Sequence, residues 1–369
     1  MDLLNFLWDY AVPFLVVLTV LIFVHELGHY AVARRNGVRI EVFSIGFGPE
    51  LFGRTDRHGT RWKISALPFG GYVRMFGEGD GYGDKTPAAV LTPEEQAVSF
   101  SHKRLGQRAA IVAAGPIANY LFAIVALTFL LAVAGNPMPL AAVGSVVSGS
   151  AAERAGLRTG DRIAAIDGTE VMWFEDLRRI VSTSPGRELT LDVDRGGQRL
   201  VVKAVPEAEN SIGRIGVTPD SAQVAHQRYN PFTATVMAVE RTALLSWRIL
   251  VYLGEVVGGS RGTEELGGPL RIAQMSGEMA QGGWANLLFF MAALSINLGL
   301  INLFPIPLLD GGHLAYFAAE AVRGRPLTAK VRDYGFRVGM VLVLLLLVFA
   351  TWNDLTHLKV FQYIRDLIT

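Results

Sequence analysis

Residues 14–35 read FLVVLTVLIFVHELGHYAVARR. A nearly unbroken apolar run carries His25, Glu26 and His29 in its second half and leaves through Arg34 and Arg35. The three polar residues form H-E-x-x-H, in which two histidines four apart share one helix face and the glutamate stands beside them. A carboxylate within an apolar span is costly, so it points to function rather than to packing.

Composition places the run in a membrane. The chain has 369 residues, 51% hydrophobic and 18% charged, and its mean hydropathy is +0.33. The apolar residues are clumped into stretches of the ~20 residues that cross a bilayer core. A net charge of +1 argues against nucleic acid as a partner. Cysteine is absent, so a zinc site must be built from histidine and carboxylates. The first run lacks a basic segment before it and exceeds the apolar core of a secretory signal, so it is read as a retained span.

Four spans are expected, at about 10–33, 109–134, 284–304 and 334–352. Arg34, Arg35 and Arg39 follow the first, and Arg323, Arg325, Lys330 and Arg332 precede the last. The positive-inside rule puts residues 34–108 and 320–333 in the cytoplasm, with the N-terminus, the C-terminus and the central segment outside. Between the first two spans, Thr60–Ser65 and Gly71–Phe76 read as short strands around Pro68-Phe69-Gly70-Gly71. They fit a hairpin, or membrane-associated β-loop, equally with a cytoplasmic loop. Residues 77–97 read as a glycine-rich loop.

Residues 141–206 change character, with charges and short β-rich runs. The run Ser150-Ala151-Ala152-Glu153-Arg154-Ala155-Gly156-Leu157-Arg158-Thr159-Gly160-Asp161-Arg162-Ile163 reads as a short helix, a glycine turn and a strand, and Asp167-Gly168 as a hairpin turn. This segment resembles a bacterial PDZ domain, which implies binding of peptide C-termini or extended segments by strand addition. Residues 207–230 read as a polar linker, 231–257 as an amphipathic interfacial helix, and 258–268 and 277–283 as loops. The expected division is a membrane core over 1–140, the PDZ segment over 141–206, linker and interfacial helix over 207–283, and a second membrane core over 284–369.

The third span runs into Pro305-Ile306-Pro307-Leu308-Leu309-Asp310-Gly311-Gly312-His313. Prolines breaking a helix at membrane depth fit a backbone that lines a cavity. A catalytic zinc takes three protein ligands and keeps a position open. His25 and His29 supply two of them. Asp310, which topology returns to the same membrane face, is the third candidate, and His313 competes with it. Glu26 would take a proton from water and pass it to the leaving amine. Asn302 and Asn119 could hold the substrate backbone, or could make hydrogen bonds between helices.

H-E-L-G-H, Ala114-Gly115-Pro116-Ile117-Ala118-Asn119, Phe69-Gly70-Gly71-Tyr72-Val73 and N-L-F-P-I-P-L-L-D-G-G-H together resemble the site-2 protease family. Within it they resemble the regulator-of-sigma-E protease branch of bacteria. The resemblance implies a multi-pass α-helical protein of the bacterial inner membrane, with one Zn²⁺ held by His25, His29 and Asp310 and with Glu26 as base. It also implies a substrate-positioning role for Asn302, a family motif position at Gly115 and Asn119, and pairing of the glycine-rich hairpin with an unwound substrate. Substrates would be single-span membrane proteins of the anti-sigma-factor type, or remnant signal peptides. One feature departs from the branch: the chain has room for one PDZ domain, not two. Readings from other classes are a catalytically silent scaffold and a divalent-cation transporter, neither of which needs Glu26.

Overall fold

The computed structural model describes residues 7–78, 91–209, 212–263 and 267–357. Most of the expected loop at 77–97 lies outside them. Two compact units are present, one built from residues 1–129 and 232–369 and the other from 130–231.

In the first unit, a π-helical turn over Leu7–Ala11 leads into α1, Val12–Arg35. At 1.5 Å per residue, α1 is about 36 Å long, enough to span. Its basic last turn suits the negative end of the helix dipole, and Asn36 closes it by donating to Val32 O at 2.8 Å.

β1, Ile40–Thr55, and β2, Arg61–Met75, pair antiparallel. The expected hairpin is therefore present but differently built. Its missing partner is β1, and Thr60–Phe76 does not fold on itself. Phe43 faces Val73 on one side and Trp62 on the other, so the first half of β1 lies between two segments of β2. The second half of β1 bends away and pairs with the first part of β2, as in Arg54↔Trp62. Gly46 (φ 88°) and Gly70 (φ 129°) take the left-handed conformations that this bend demands. Phe43 stacks on Trp62 at 4.3 Å, with Phe23 and Tyr30 of α1 against them, so the sheet is anchored along the first span.

After a capped short helix α2, Pro93–Val98, comes α3, Leu105–Phe129. α1 and α3 touch through small residues. A Cβ on Gly28 would lie 2.3 Å from Ala114 O, and one on Gly115 2.3 Å from His29 Nε2. Small residues let helix backbones approach closely in a membrane.

The second unit begins as α3 ends. β3 (Asn136–Pro139) pairs with β12 (Val224–Gln227), and β4 (Val143–Val146) with β11 (Val217–Pro219). Between them lie helix α4 (Ala151–Arg154), strands β5 (Arg162–Ile166) and β6 (Thr169–Glu170), helix α5 (Phe174–Ser182), and strands β7 (Leu189–Arg195) and β8 (Gln198–Ala204). These form a four-stranded sheet in the order β6-β5-β7-β8. A hairpin of β9 (Glu207–Glu209) and β10 (Ile212–Arg214) follows. The glycine-aspartate turn pins the sheet to the chain before it. Asp161, fully buried, accepts from Arg195 at 2.6 and 2.7 Å and from Arg158 N–H at 2.8 Å. Burial alone would raise its pKa, and these donors hold it below the usual carboxylate range. The unit is wider than the 141–206 expected. Residues 207–230 are not a linker, since β11 and β12 return to pair with its first strands. Those strands are three or four residues long and half-exposed, so they leave little alternation to read.

The chain re-enters the first unit through α6, Pro231–Val257, whose buried Ala234, Ala238 and Thr242 mark one face. α7, Pro269–Gln281, is helical across Gly277, where a loop was expected. A Cβ there would lie 2.5 Å from Asp9 O, so this glycine lets the helix pack close to the start of the chain. Its N-terminal amides at Gly268, Leu270 and Arg271 donate to the buried carboxylate of Asp354 at 2.7–3.1 Å. α8, Trp284–Asn302, ends before the prolines, α9 starts at Asp310 and runs to Arg323, and α10 spans Ala329–His357. Among the described residues, four helices have the length and apolar character to cross a membrane: 8–35, 105–134, 284–302 and 329–356. The chain is a multi-pass membrane protein with a β-rich insert.

The contact at Gly28 gives a direct test of helix packing. Gly28→Leu should lower the thermal midpoint in detergent, at an overpacking cost of about 1–3 kcal/mol. Gly106→Ala, where a Cβ meets nothing within 4 Å, should leave it unchanged or raise it.

Candidate metal centre

The H-E-x-x-H turn lies where α1 meets α3 and the start of α9. His25 Nε2 and His29 Nε2 are 3.2 Å apart, and Asp310 Oδ2 is 3.1 and 3.5 Å from them. Ligands at the ~2.0–2.1 Å typical of zinc, set tetrahedrally, stand about 3.3 Å from one another. The three atoms thus form one face of such a site. Asp310 Oδ2 is buried without a hydrogen-bond partner of its own. An orphaned carboxylate oxygen aimed at two imidazole nitrogens fits a dication.

α3 orients both imidazoles from behind. His29 Nδ1 is 2.9 Å from Ile111 O, so it carries the proton and leaves Nε2 as the metal-facing lone pair. His25 Nδ1 is 3.0 Å from Asn119 Nδ2. Asn119 is fully buried, and its Oδ1 has no partner. Turning this amide about its axis places Oδ1 on a protonated His25 Nδ1, which satisfies both groups and frees Nε2. Its backbone carbonyl accepts from Ser295 of α8 at 2.9 Å. Asn119 therefore sits behind a ligand, not on an open face, and a direct substrate contact does not fit this position. Gly115, four residues earlier, is small because the imidazoles occupy the space its side chain would take.

Asp310 reaches the site through the broken segment. Leu308 has φ 103°, a strained conformation for a branched residue. Side chains at Gly311 and Gly312 would collide with Phe304 O and Ile306 O, so the turn folds tightly onto the start of α9. α9 is pinned to α3 by Arg108–Glu320 at 2.5 Å, with the guanidinium over the Phe317 ring. This pair and Ile111 O went unnoticed in the sequence. Backbone groups leave no residue signature, and an arginine beside a basic loop reads as topology.

Glu26 lies close enough to His25, His29 and Asp310 to feel their charges, and the Val73 amide of β2 lies beside it. Gly71 stands beside it, where a Cβ would lie 3.3 Å from Glu26 Cγ. Asn302, the last residue of α8, is half-buried and belongs to a different helix from any of the three ligands. His313 is exposed, packs edge-on against Tyr316 and lies outside the ligand group.

Asn119→Ala should weaken zinc binding by about 10–100-fold in competition with a chelator, the range for loss of a partner to a ligating histidine. Asn119→Asp, which keeps an acceptor at His25, should restore it. Equal affinity in all three proteins would remove Asn119 from the site.

Comparison with known proteins agrees with this geometry. The sequence model of peptidase family M50 matches residues 13–346. A protein named "Putative zinc metalloprotease" from Agrobacterium fabrum is 45% identical over 367 residues, covering 96% of this chain and 97% of the relative. Its counterpart in Rhizobium meliloti is also 45% identical, with 95% and 97% covered. The regulator of sigma-E protease RseP of Escherichia coli is 34% identical over 460 aligned residues, covering 96% of this chain and all of RseP. The chain belongs to peptidase family M50, the site-2 proteases, and is an intramembrane zinc metalloprotease.

Proposed function

We propose that the protein cuts transmembrane segments of single-span membrane proteins, with His25, His29 and Asp310 holding zinc and Glu26 as the proton carrier. The observation that carries this reading is the meeting of the three ligand atoms beside Glu26 on a membrane-spanning helix. Bound zinc would polarise the scissile carbonyl and acidify water. The Glu26 carboxylate takes the proton of the attacking water and delivers it to the amide nitrogen as the C–N bond breaks. A new carboxylate and a free amine result.

A helix in lipid has its carbonyls bonded internally, so a substrate must unwind before attack. The Gly71–Met75 edge of β2 runs past Glu26 and offers backbone partners to an extended strand. Asn302, at the end of α8, is suited to hold the substrate backbone as it enters. Resemblance to RseP supports substrates of the anti-sigma-factor type, and remnant signal peptides fit the same chemistry.

The β-rich insert, with its Gly160-Asp161 turn and four-stranded sheet, is read as a PDZ domain that takes extended peptides or C-termini. RseP aligns over about 90 more positions than this chain contains, consistent with a single such domain here. A single domain argues against a size filter that needs two. The basic loops support an inner-membrane topology with residues 34–108 and 320–333 in the cytoplasm, and with the insert and both termini outside.

Glu26→Gln should lower cleavage of a tagged single-span substrate by about 10²–10⁴-fold while zinc stays at one per chain. Cleavage at the wild-type rate would overturn the assignment of the base. A scaffold or a cation transporter would be indifferent to the substitution.

A further inference from the structure

The turn that joins β1 to β2 takes no part in the catalytic reading, yet its position and chemistry are specific. Thr60 Oγ1 donates to Ile40 O at 3.0 Å. The turn thus comes back to the level at which β1 starts, just beyond the basic end of α1. The other end of the sheet lies deeper. A Cβ on Gly71 would meet Ile22 at 2.6 Å, and Ile22 lies about 20 Å along α1 from Arg35 at 1.5 Å per residue. The outer strands therefore run through the depth of the first span. Their side chains suit that depth: Leu51 and Phe52 are 70% and 72% exposed, and Ile64 and Leu67 are exposed beside them.

At the level of the turn the chemistry changes. Arg54 and Arg57 are exposed and make no ion pair among the described residues, and His58 is exposed beside them. With Thr55, Asp56 and Trp62 they line an open cleft of about 580 Å³. The carboxylate of Asp56 is already engaged, accepting from His58 N–H, Thr60 N–H and Trp62 Nε1–H at 2.8–3.0 Å. Arg61 is paired with Glu50 at 2.5 Å, and Lys63 lies over the Tyr72 ring. Arg54 and Arg57 are the arginines left to meet a ligand. Trp62 adds the amphipathic ring that favours the membrane–water boundary.

The geometry points to this turn as a binding site for an anionic phospholipid, with Arg54 and Arg57 on the headgroup phosphate and Leu51, Phe52, Ile64 and Leu67 along the acyl chains. Lipid is favoured over a protein partner because the apolar face lies at the depth of a membrane-spanning helix and ends in free cations at its edge. Basic residues at such a surface attract anionic headgroups. The site would hold the outer edge of the β1–β2 sheet in the bilayer while its inner edge lies against Glu26. The inference rests on α1 spanning the membrane and not on the catalytic roles, so loss of cleavage in Glu26 variants does not bear on it.

The test uses the purified full chain in detergent, titrated with phosphatidylglycerol carrying a fluorophore on an acyl chain and read by anisotropy. Arg54→Gln and Arg57→Gln should each weaken binding about fivefold, whereas Arg54→Lys/Arg57→Lys should bind nearly as the wild type. Unlabelled phosphatidylglycerol should displace the probe, and phosphatidylcholine or inorganic phosphate at equal ionic strength should not. Zinc content checks folding, and either single variant suffices if the other fails that check. The Lys pair carries the test if both fail, and a loss of binding in a zinc-loaded Lys pair would count against the site. Unchanged affinity in the Gln variants overturns the proposal. Displacement by inorganic phosphate as good as by lipid would reassign the cleft to a free anion, and absence of probe binding would leave the face to a protein partner.

Discussion

Polar groups placed at bilayer depth must find their partners inside the protein, because lipid offers none. Two imidazoles and two carboxylates lie at that depth here, and most of the first unit follows from satisfying them. α1 carries three of the four groups but provides no partner for either Nδ1. Those partners come from α3, which can reach them only because Gly28 and Gly115 remove the side chains that would keep the helices apart.

α3 is accordingly the spine of the site. Ile111 O and Asn119 fix the two histidines, Asn119 O ties in α8 through Ser295, and Arg108 holds α9, whose first residue is Asp310. Helices far apart in sequence are thereby locked to one element, and the third ligand can reach a site that lies about 280 residues earlier in the chain. The remaining polar atom, Asp310 Oδ2, has no partner of its own and is left to the metal. α10 closes over the broken segment, where a Cβ on Gly339 would collide with Pro307.

The sequence revealed the parts whose chemistry is carried by side chains at fixed spacing. His25 and His29, the four long apolar helices and the break before Asp310 were all legible, because periodicity and apolar length are local. It was less informative where structure depends on backbone or on distant pairing. β1 contains Gly46, Gly48, Pro49 and Gly53, which carry no strand alternation, yet the left-handed backbone at Gly46 and Gly48 belongs to the bend that lets one strand pair on both sides. β11 and β12 are too short to alternate, and so they read as a linker. Asn119 was legible as a polar residue in a span, but its choice between substrate and histidine depended on helix rotation, which one sequence does not fix. The helix through Gly277 was obscured because a glycine selected for close packing resembles a glycine selected for a turn.

The proposed zinc site joins two imidazoles of the first span to one carboxylate at the break after the third. X-ray absorption at the zinc edge of the purified full chain tests it most directly. The expected spectrum shows two imidazole nitrogens and a carboxylate oxygen at ~2.0–2.1 Å, with loss of the carboxylate contribution and of most zinc in Asp310→Ala. A three-imidazole shell that survives this substitution and disappears in His313→Ala would contradict it.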